Sequence, residues 1–418
     1  MTTFVSHFKR IFLKFTEFNF DSGLLEGIEA ANYIKTTPIQ EMVIPHILNG
    51  KDVMAFAQTG TGKTAAFLLP LINNVLTKKA GTGIKCMIIV PTRELAVQIS
   101  QHLEGLSYFT PISSIAVYGG GDGNDFIQEK NALIKNAEFV VCTPGKMMAH
   151  IKMGYVNLEG LQYLVLDEAD RMLDMGFYND IMFIIGKLPQ KRQTLLFSAT
   201  MAPKIKTLAH KILRQPIEVS LSLSKPPEKI VQQAFMVYDE QKTPLIIHLL
   251  KEKQYRSVLI FCSSKLSVKN LTRDLKRKGI VAAEIHSDLE QAEREDILVG
   301  FKSGRIPVLV ATDILSRGID IDNIDLVINF DVPRDSEDYV HRIGRTARAA
   351  ADGTAFTLVT LKEQRKFHFI EKLIGKDISK MSVPEHLGKQ PAYSPAQKND
   401  SAKPSSKRNF KPKGKRHQ

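Results

Sequence analysis

Three groups of residues in this 418-residue chain have the types and spacing to handle phosphate. The first, Ala57-Gln58-Thr59-Gly60-Thr61-Gly62-Lys63-Thr64, follows the apolar run Val53–Phe56. Gly60 and Gly62 can take positive φ and turn backbone N–H groups toward phosphate oxygens at a helix N-terminus. Lys63 would reach the outer phosphates and the Thr64 hydroxyl a magnesium ion. The strict form of this pattern begins with Gly, where Ala57 stands. A chance turn between strand and helix is the plainer reading, but the strand-like run before it and the helical pattern Ala65–Leu71 after it favour phosphate. The second group, Asp167-Glu168-Ala169-Asp170, closes the apolar run Tyr163–Leu166. Carboxylates at the C-terminal end of a strand lie where doubly wound sheets place ligands. Asp167 would hold magnesium through its water shell, and Glu168 would polarise an attacking water. Alone, the pair could merely cap a helix over Asp170–Gly176. Beside a phosphate loop, chemistry is the better reading.

The third group, His341-Arg342-Ile343-Gly344-Arg345-Thr346-Ala347-Arg348, lies far downstream. If helical, His341, Arg345 and Arg348 share one face at i, i+4 and i+7. Like charges on one stripe repel unless an anion faces them. A solvated basic face is the alternative. Phosphate-binding groups at opposite ends of the chain imply a nucleoside triphosphate shared between two domains.

Short β-branched and aromatic runs alternating with helical patterns position these groups, the mark of α/β architecture with parallel sheets. The first series is Val53–Ala57, Cys86–Val90, Phe139–Cys142, Tyr163–Asp167 and Thr194–Ser198. The second is Ala234–Tyr238, Ser257–Cys262, Val281–His286, Val308–Ala311, Leu326–Phe330 and Ala355–Val359. Between them the serine-bearing stretch Ser220–Lys229, with Pro226-Pro227, suits a linker. The resulting organisation is a leader over 1–14, a first domain over 15–218, a linker over 219–230, a second domain over 231–383 and a tail over 384–418. No residue-level repeat is visible, although the two halves look alike in architecture.

With 43% hydrophobic residues the chain can form ordinary cores. It has no uncharged apolar stretch of about 18 residues, so no membrane partner is expected. The apolar start Phe4–Phe15 is interrupted by His7, Lys9, Arg10 and Lys14 and lacks a cleavage site, unlike a signal peptide. Cys86, Cys142 and Cys262 border apolar runs without metal spacing, which reads as reduced core thiols in a cytoplasmic protein. The net charge of +13 is concentrated. From Gly388 to Gln418 nine Lys/Arg face one Asp, a net +8 amid Pro, Ser, Asn and Gly. Such a segment cannot bury a core and is expected to be disordered, serving as a salt-sensitive polyanion contact or only as a solubilising terminus.

Taken together, the loop and the Asp-Glu-Ala-Asp tetrapeptide resemble the DEAD-box ATP-dependent RNA helicases of superfamily 2, over about Phe15–Val359. The resemblance extends to the bacterial RhlE-like branch. It implies two tandem RecA-like domains, a mostly monomeric core, and ATP, Mg²⁺ and RNA as ligands. Tyr33–Gln40 resembles the family's adenine-sensing segment, with Asn32 and Thr36 where Gly and Pro are usual and Phe15 at the place of its isolated upstream aromatic. A Gln amide can both accept from and donate to adenine, so Gln40 implies ATP. Pro91-Thr92-Arg93, Gly119-Gly120 and Thr143-Pro144-Gly145-Lys146 resemble its RNA-contacting motifs, with Lys146 for the commoner Arg. Hydroxyls, free N–H groups and single cations after strands suit backbone tracking. Asp170, Ser198 and Thr200 resemble its coupling residues, although Ser198-Ala199-Thr200 could also cap a helix over Met201–Ala209. In the second half Gln291 and Arg294 resemble an RNA and interdomain motif, and Ser287 stands there for a common Gly. Thr312 is assigned to RNA and Asp320 to the nucleotide. By the same resemblance Arg345 and Arg348 are arginine fingers and His341 couples them to the acidic site, with Ala347 for the usual Gly.

The implied activity is ATP-dependent local unwinding of short RNA duplexes, largely independent of sequence. An ATP-gated RNA clamp that never separates strands, or a DNA-directed translocase, remain as alternatives. Strand displacement and a comparison of ATPase stimulation by RNA and DNA separate the three. The cellular RNA and any ribosomal or RNA-decay partners stay open.

Overall fold

The computed structural model describes residues 13–57, 60–78, 83–120, 123–135, 137–221, 230–253, 255–312, 324–333, 335–346 and 353–395. The first unit holds β1 (Val53–Phe56), β2 (Cys86–Ile89), β3 (Ser114–Val117), β4 (Phe139–Cys142), β5 (Tyr163–Leu166), β6 (Gln193–Ser198) and β7 (Ile217–Ser220). Its helices are α1 (Ser22–Ala30), α2 (Pro38–Leu48), α3 (Lys63–Thr77), α4 (Arg93–Leu106), α5 (Gly123–Ile134), α6 (Pro144–Lys152), α7 (Ala169–Asp174), α8 (Tyr178–Ile185) and α9 (Pro203–Ile212). All its strand pairings are parallel, in the order β3-β4-β2-β5-β6-β1-β7.

Period-2 alternation explains why both faces of this sheet are covered. Val53, Ala55, Cys86, Ile88, Val165 and Phe197 point into a core shared with α1–α4. Their neighbours Met54, Phe56, Met87, Ile89, Leu164 and Leu196 point into a second core shared with α6–α9. β1, β2, β4, β5 and β6 are buried along their whole length, so their sequences read as continuous apolar runs.

The second unit repeats the plan. Its strands are β8 (Ile230–Met236), β9 (Val258–Cys262), β10 (Ala282–Ile285), β11 (Val308–Thr312), β12 (Leu326–Asn329), β13 (Gly353–Val359) and β14 (Ser379–Met381). They are all parallel, in the order β10-β11-β9-β12-β13-β8-β14. Numbered within each unit, the two sheets have one strand order, 3-4-2-5-6-1-7. Helices α10 (Lys242–Glu252), α11 (Lys265–Arg277) and α12 (Gln291–Lys302) follow, with two more over Ser336–Ile343 and Gln364–Ile374.

The order of elements differs from the sequence expectation in two places. The packed chain runs on through residues that composition assigns to the tail. Gln241 donates to the carbonyls of Leu387 and Lys389, Gln364 to that of Ala392, and the Tyr393 hydroxyl to Glu371. Partners on the second unit thus hold a segment that could not fold alone. Residues 1–12, most of the linker and residues 396–418 lie outside the described residues. In the arginine-rich group the helix stops at Ile343, with Gly344 as its C-cap, and Arg345 follows in a turn, its N–H bonded to the Arg342 carbonyl.

Candidate active site

The ends of β1, β5 and β6 gather the first-unit residues that the sequence assigns to a nucleotide, because sheet order makes those strands neighbours. β1 runs into the Ala57–Gly62 turn, β5 into Asp167 and β6 out through Ser198. Gly60 and Gly62 have φ of +79° and +92°, which permits the tight approach to α3. Lys63 opens that helix, buried, and its Nζ donates to the Ala57 carbonyl at 2.8 Å. Thr64 follows in the first turn, half-buried, whereas Gln58 and Thr59 lie outside the described residues.

Asp167 is buried, and burial pushes its pKa up to about 6, with Glu168 and Asp170 adding to the rise and Lys63 opposing it. A carboxylate so placed fits a hydrated cation that takes its other ligands from phosphate and water, as magnesium does. Glu168 has φ +50°, a left-handed backbone rare for a side chain of its size. Its Oε2 lies 3.3 Å from Arg171 Nη1, and its N–H donates to Asp167 Oδ1 at 2.9 Å. Asp170 Oδ2 accepts from Thr200 N–H at 3.1 Å, and Ser198 Oγ donates to the Thr200 carbonyl at 2.9 Å. Asp170, Thr200 and Ser198, the residues expected to couple, therefore form one hydrogen-bonded chain. The helix after them begins at Pro203 with Ala202 as N-cap, so Ser198 and Thr200 are not its caps.

On the adenine side, Gln40 stands in a capping box with Thr37, its Oε1 accepting from Thr37 N–H at 2.8 Å. Its Nε2 donates to the Gly62 carbonyl at 3.2 Å, which ties this segment to the phosphate turn. The two sequence departures have physical explanations. Asn32 takes φ +57°, a conformation asparagine tolerates almost as glycine does. The Thr36 hydroxyl donates to the Leu13 carbonyl at 2.8 Å and lies 2.9 Å from Glu41 Oε1, fastening the segment just before Phe15. Phe15 itself is buried, its ring stacked 6.1 Å from Tyr33.

The other half of the same sheet edge, β3-β4-β2, carries the remaining first-unit motifs. Pro91-Thr92-Arg93 follows β2, and the Thr92 hydroxyl caps α4 by accepting from Leu95 N–H at 3.3 Å. Gly119-Gly120 follows β3, with Gly120 at φ +89°. Thr143 N-caps α6 after β4, and Gly145 and Lys146 lie in that helix's first turn. In the second unit Gln291 and Arg294 open α12, and Thr312 ends β11, buried. His341 is buried at the end of the Ser336–Ile343 helix, and Arg345 is buried just beyond it. Asp320 and Arg348 lie outside the described residues.

Sequence reasoning did not find the partners of Arg93, Arg294 and Arg342. Arg294 Nη1 lies 3.9 Å from Glu94, and Arg93 Nη2 lies 3.2 Å from Glu295, so the starts of α4 and α12 face each other across the two units through crossed ion pairs. The Arg-Glu and Glu-Arg-Glu order was the available signal. Arg342 is buried over the Phe261 ring (5.1 Å) and donates to Asn329 Oδ1 and the Asp331 carbonyl, anchoring the His341 helix to the sheet.

Comparison with known proteins places these sites in context. Residues 37–208 match the family description DEAD/DEAH box helicase, and residues 241–350 match the helicase conserved C-terminal domain. The chain is 41% identical over 372 residues to the ATP-dependent RNA helicase CshA of Listeria monocytogenes, covering 89% of this chain and 71% of that one. It is 39% identical to the DEAD-box ATP-dependent RNA helicase CshA of Geobacillus kaustophilus, covering 88% and 78%. Among solved structures, S. cerevisiae Dbp5 bound to RNA and ADP BeF3 superposes with a TM-score of 0.79 at 31% identity, covering 88% of this chain and 95% of that one. No helix among the described residues is long and apolar enough to cross a membrane.

Proposed function

This chain belongs to the DEAD-box family of ATP-dependent RNA helicases, and we propose that its two units hydrolyse one shared ATP while gripping an RNA backbone between them. The observation that carries the residue assignment is the division of one sheet edge. The residues assigned to the nucleotide follow β5, β6 and β1, and those assigned to RNA follow β3, β4 and β2. Lys63 holds the outer phosphates, Gln40 reads adenine, and Glu168 orients the attacking water. Asp167 and Thr64 hold the magnesium ion, which supplies charge neutralisation at the phosphates when bound. By the family resemblance Arg345 and Arg348 serve the γ-phosphate, Asp320 the nucleotide, and His341 the coupling to the acidic site. The Asp170–Thr200–Ser198 chain joins the acidic site to the exit of β6.

RNA contacts fall to Pro91, Thr92, Arg93, Gly119, Gly120, Thr143, Gly145 and Lys146 on one side and to Gln291, Arg294 and Thr312 on the other. They address phosphate and sugar, which makes recognition weakly dependent on sequence. Bending a strand between two closing units separates a short duplex, and loss of the γ-phosphate releases the grip. The three cysteines are free and buried, which suits the reducing cytoplasm in which we place the protein.

The test is Glu168→Gln. The amide keeps the shape but cannot take up charge, so RNA-stimulated hydrolysis falls by about 10²–10⁴-fold while ATP and RNA binding persist. Wild-type turnover in a coupled phosphate-release assay would remove Glu168 from this role.

A further inference from the structure

Three separate loops of the first unit are assigned to RNA, and two residues outside all of them hold the three together. Tyr118 ends the β3 exit, just before Gly119-Gly120. The Arg93 guanidinium lies over the Tyr118 ring, 4.6 Å from its centroid. The Tyr118 N–H donates to Glu129 Oε1 at 3.1 Å. The other oxygen of the same carboxylate, Oε2, lies 3.0 Å from Lys146 Nζ and 3.1 Å from His150 Nε2. Glu129 is only 4% exposed, on α5. Burial alone would raise its pKa, but bonds from His150, Lys146 and Tyr118 outweigh that, and the carboxyl ends below the usual range.

The surroundings make this a framework and not a chance pair. Phe126 stacks on the His150 ring at 4.9 Å and 13°, and Lys146 Nζ lies 5.2 Å from the centroid of the same Phe126. The Tyr155 hydroxyl meets the other ring nitrogen of His150. A lysine ammonium is a point charge on a flexible stem and lacks the planar fork with which arginine fixes its own direction. At position 146 the direction is supplied from outside, by a buried carboxylate on one side and an aromatic face on another.

From this convergence we propose that Tyr118 and Glu129 are positioning residues that lock the Arg93, Gly119-Gly120 and Thr143–Lys146 loops into one rigid track, with Glu129 setting where the Lys146 charge stands. This rests on the reading that those loops grip RNA. It has a consequence of unusual sign. A carboxylate beside a phosphate track repels RNA, so on charge alone its removal should tighten binding. If its role is to position, removal weakens binding.

The experiment measures affinity for a labelled single-stranded RNA by anisotropy, and the RNA half-saturation of ATPase, in Glu129→Ala, Lys146→Ala and the double variant. Glu129→Ala is expected to weaken RNA binding three- to tenfold, with the change in RNA half-saturation and not in turnover at saturating RNA. Lys146→Ala weakens it comparably, and the double variant is no worse than the weaker single one, because both remove one unit. Glu129→Gln, which keeps volume and the acceptor for Tyr118, guards against loss of fold, and it too weakens binding because the charge that fixes Lys146 is gone. RNA bound as tightly as wild type, or tighter, by folded Glu129→Ala or Glu129→Gln overturns the proposal while a weakened Lys146→Ala leaves the loop reading standing. A Lys146→Ala variant that binds RNA normally overturns the loop reading itself at that residue.

Discussion

Gly62 shows how one position can serve two ligand-facing segments. Its φ of +92° is a conformation that L side chains adopt at a cost of about 1–2 kcal/mol. A Cβ built there would lie 2.7 Å from Gln40 Nε2 and 2.9 Å from Thr37 Oγ1. Those two atoms belong to the capping box that presents Gln40, so an added methyl pushes the adenine sensor and the phosphate turn apart together. Gly62→Ala is therefore expected to raise the ATP half-saturation by about tenfold or more, equivalent to ~1.4 kcal/mol. The melting temperature should fall by only a few degrees, as befits a loss of about 1–2 kcal/mol in a domain of this size. An ATP titration alongside thermal denaturation checks both. An unchanged half-saturation would show that Gln40 and the turn move independently. The glycine itself was legible in the sequence. What it touches was not, because Thr37 and Gln40 lie more than twenty residues upstream and spacing carries no information about such a contact.

Helix α10 is fixed to the second sheet by a buried charge cluster rather than by apolar packing alone. Lys242 Nζ lies 2.8 Å from Asp331 and 3.4 Å from Glu363, at the exits of β12 and β13. Burial disfavours the charge on Lys242, but Glu363 and Asp331 outweigh it and its pKa is raised. Burial likewise opposes ionisation of Asp331, and Lys242 with the Ser263 N–H outweighs it, so that pKa is lowered. The lowered Asp331 contributes stability that is present above about pH 4 and lost as the pH falls through its folded value. The raised Lys242 contributes stability present below about pH 10.4 and lost as the pH climbs through its folded value. Lys242→Met leaves two carboxylates without their cation, for a loss of about 3–5 kcal/mol, measurable by urea unfolding at pH 7. It should also reduce the acid-side loss of stability seen in the wild type, and a parallel pH profile would exclude the cluster as its source. The sequence could not announce this triad, whose members are scattered along the unit. It did announce nearly every strand that the sheets bury on both faces. The strands it missed, β3, β7 and β14, are all at sheet edges, where one side faces no neighbour and Ser114, Glu218 and Lys380 break the apolar run.

Two copies of one topology are joined through crossed Arg93–Glu295 and Glu94–Arg294 pairs. The strap formed by residues 384–395 then matters for how the basic terminus is delivered. The described residues end at Pro395, after Ala392 and Tyr393 are tied to Gln364 and Glu371. The eight Lys/Arg beyond it therefore start from a fixed point on the second unit. Removing residues 396–418 should leave thermal stability untouched and flatten the dependence of log RNA affinity on log salt, by up to about 0.7 for each tail cation that meets a phosphate. Removing residues 384–418 should flatten it equally and also lower the melting temperature, because Gln241, Gln364 and Glu371 lose their partners. The pair of truncations separates electrostatic capture from docking. An unchanged salt slope in the shorter deletion would mean that the tail is not an RNA contact. An unchanged melting temperature in the longer one would mean that the strap adds nothing to the fold, and that the tail's point of departure is set elsewhere.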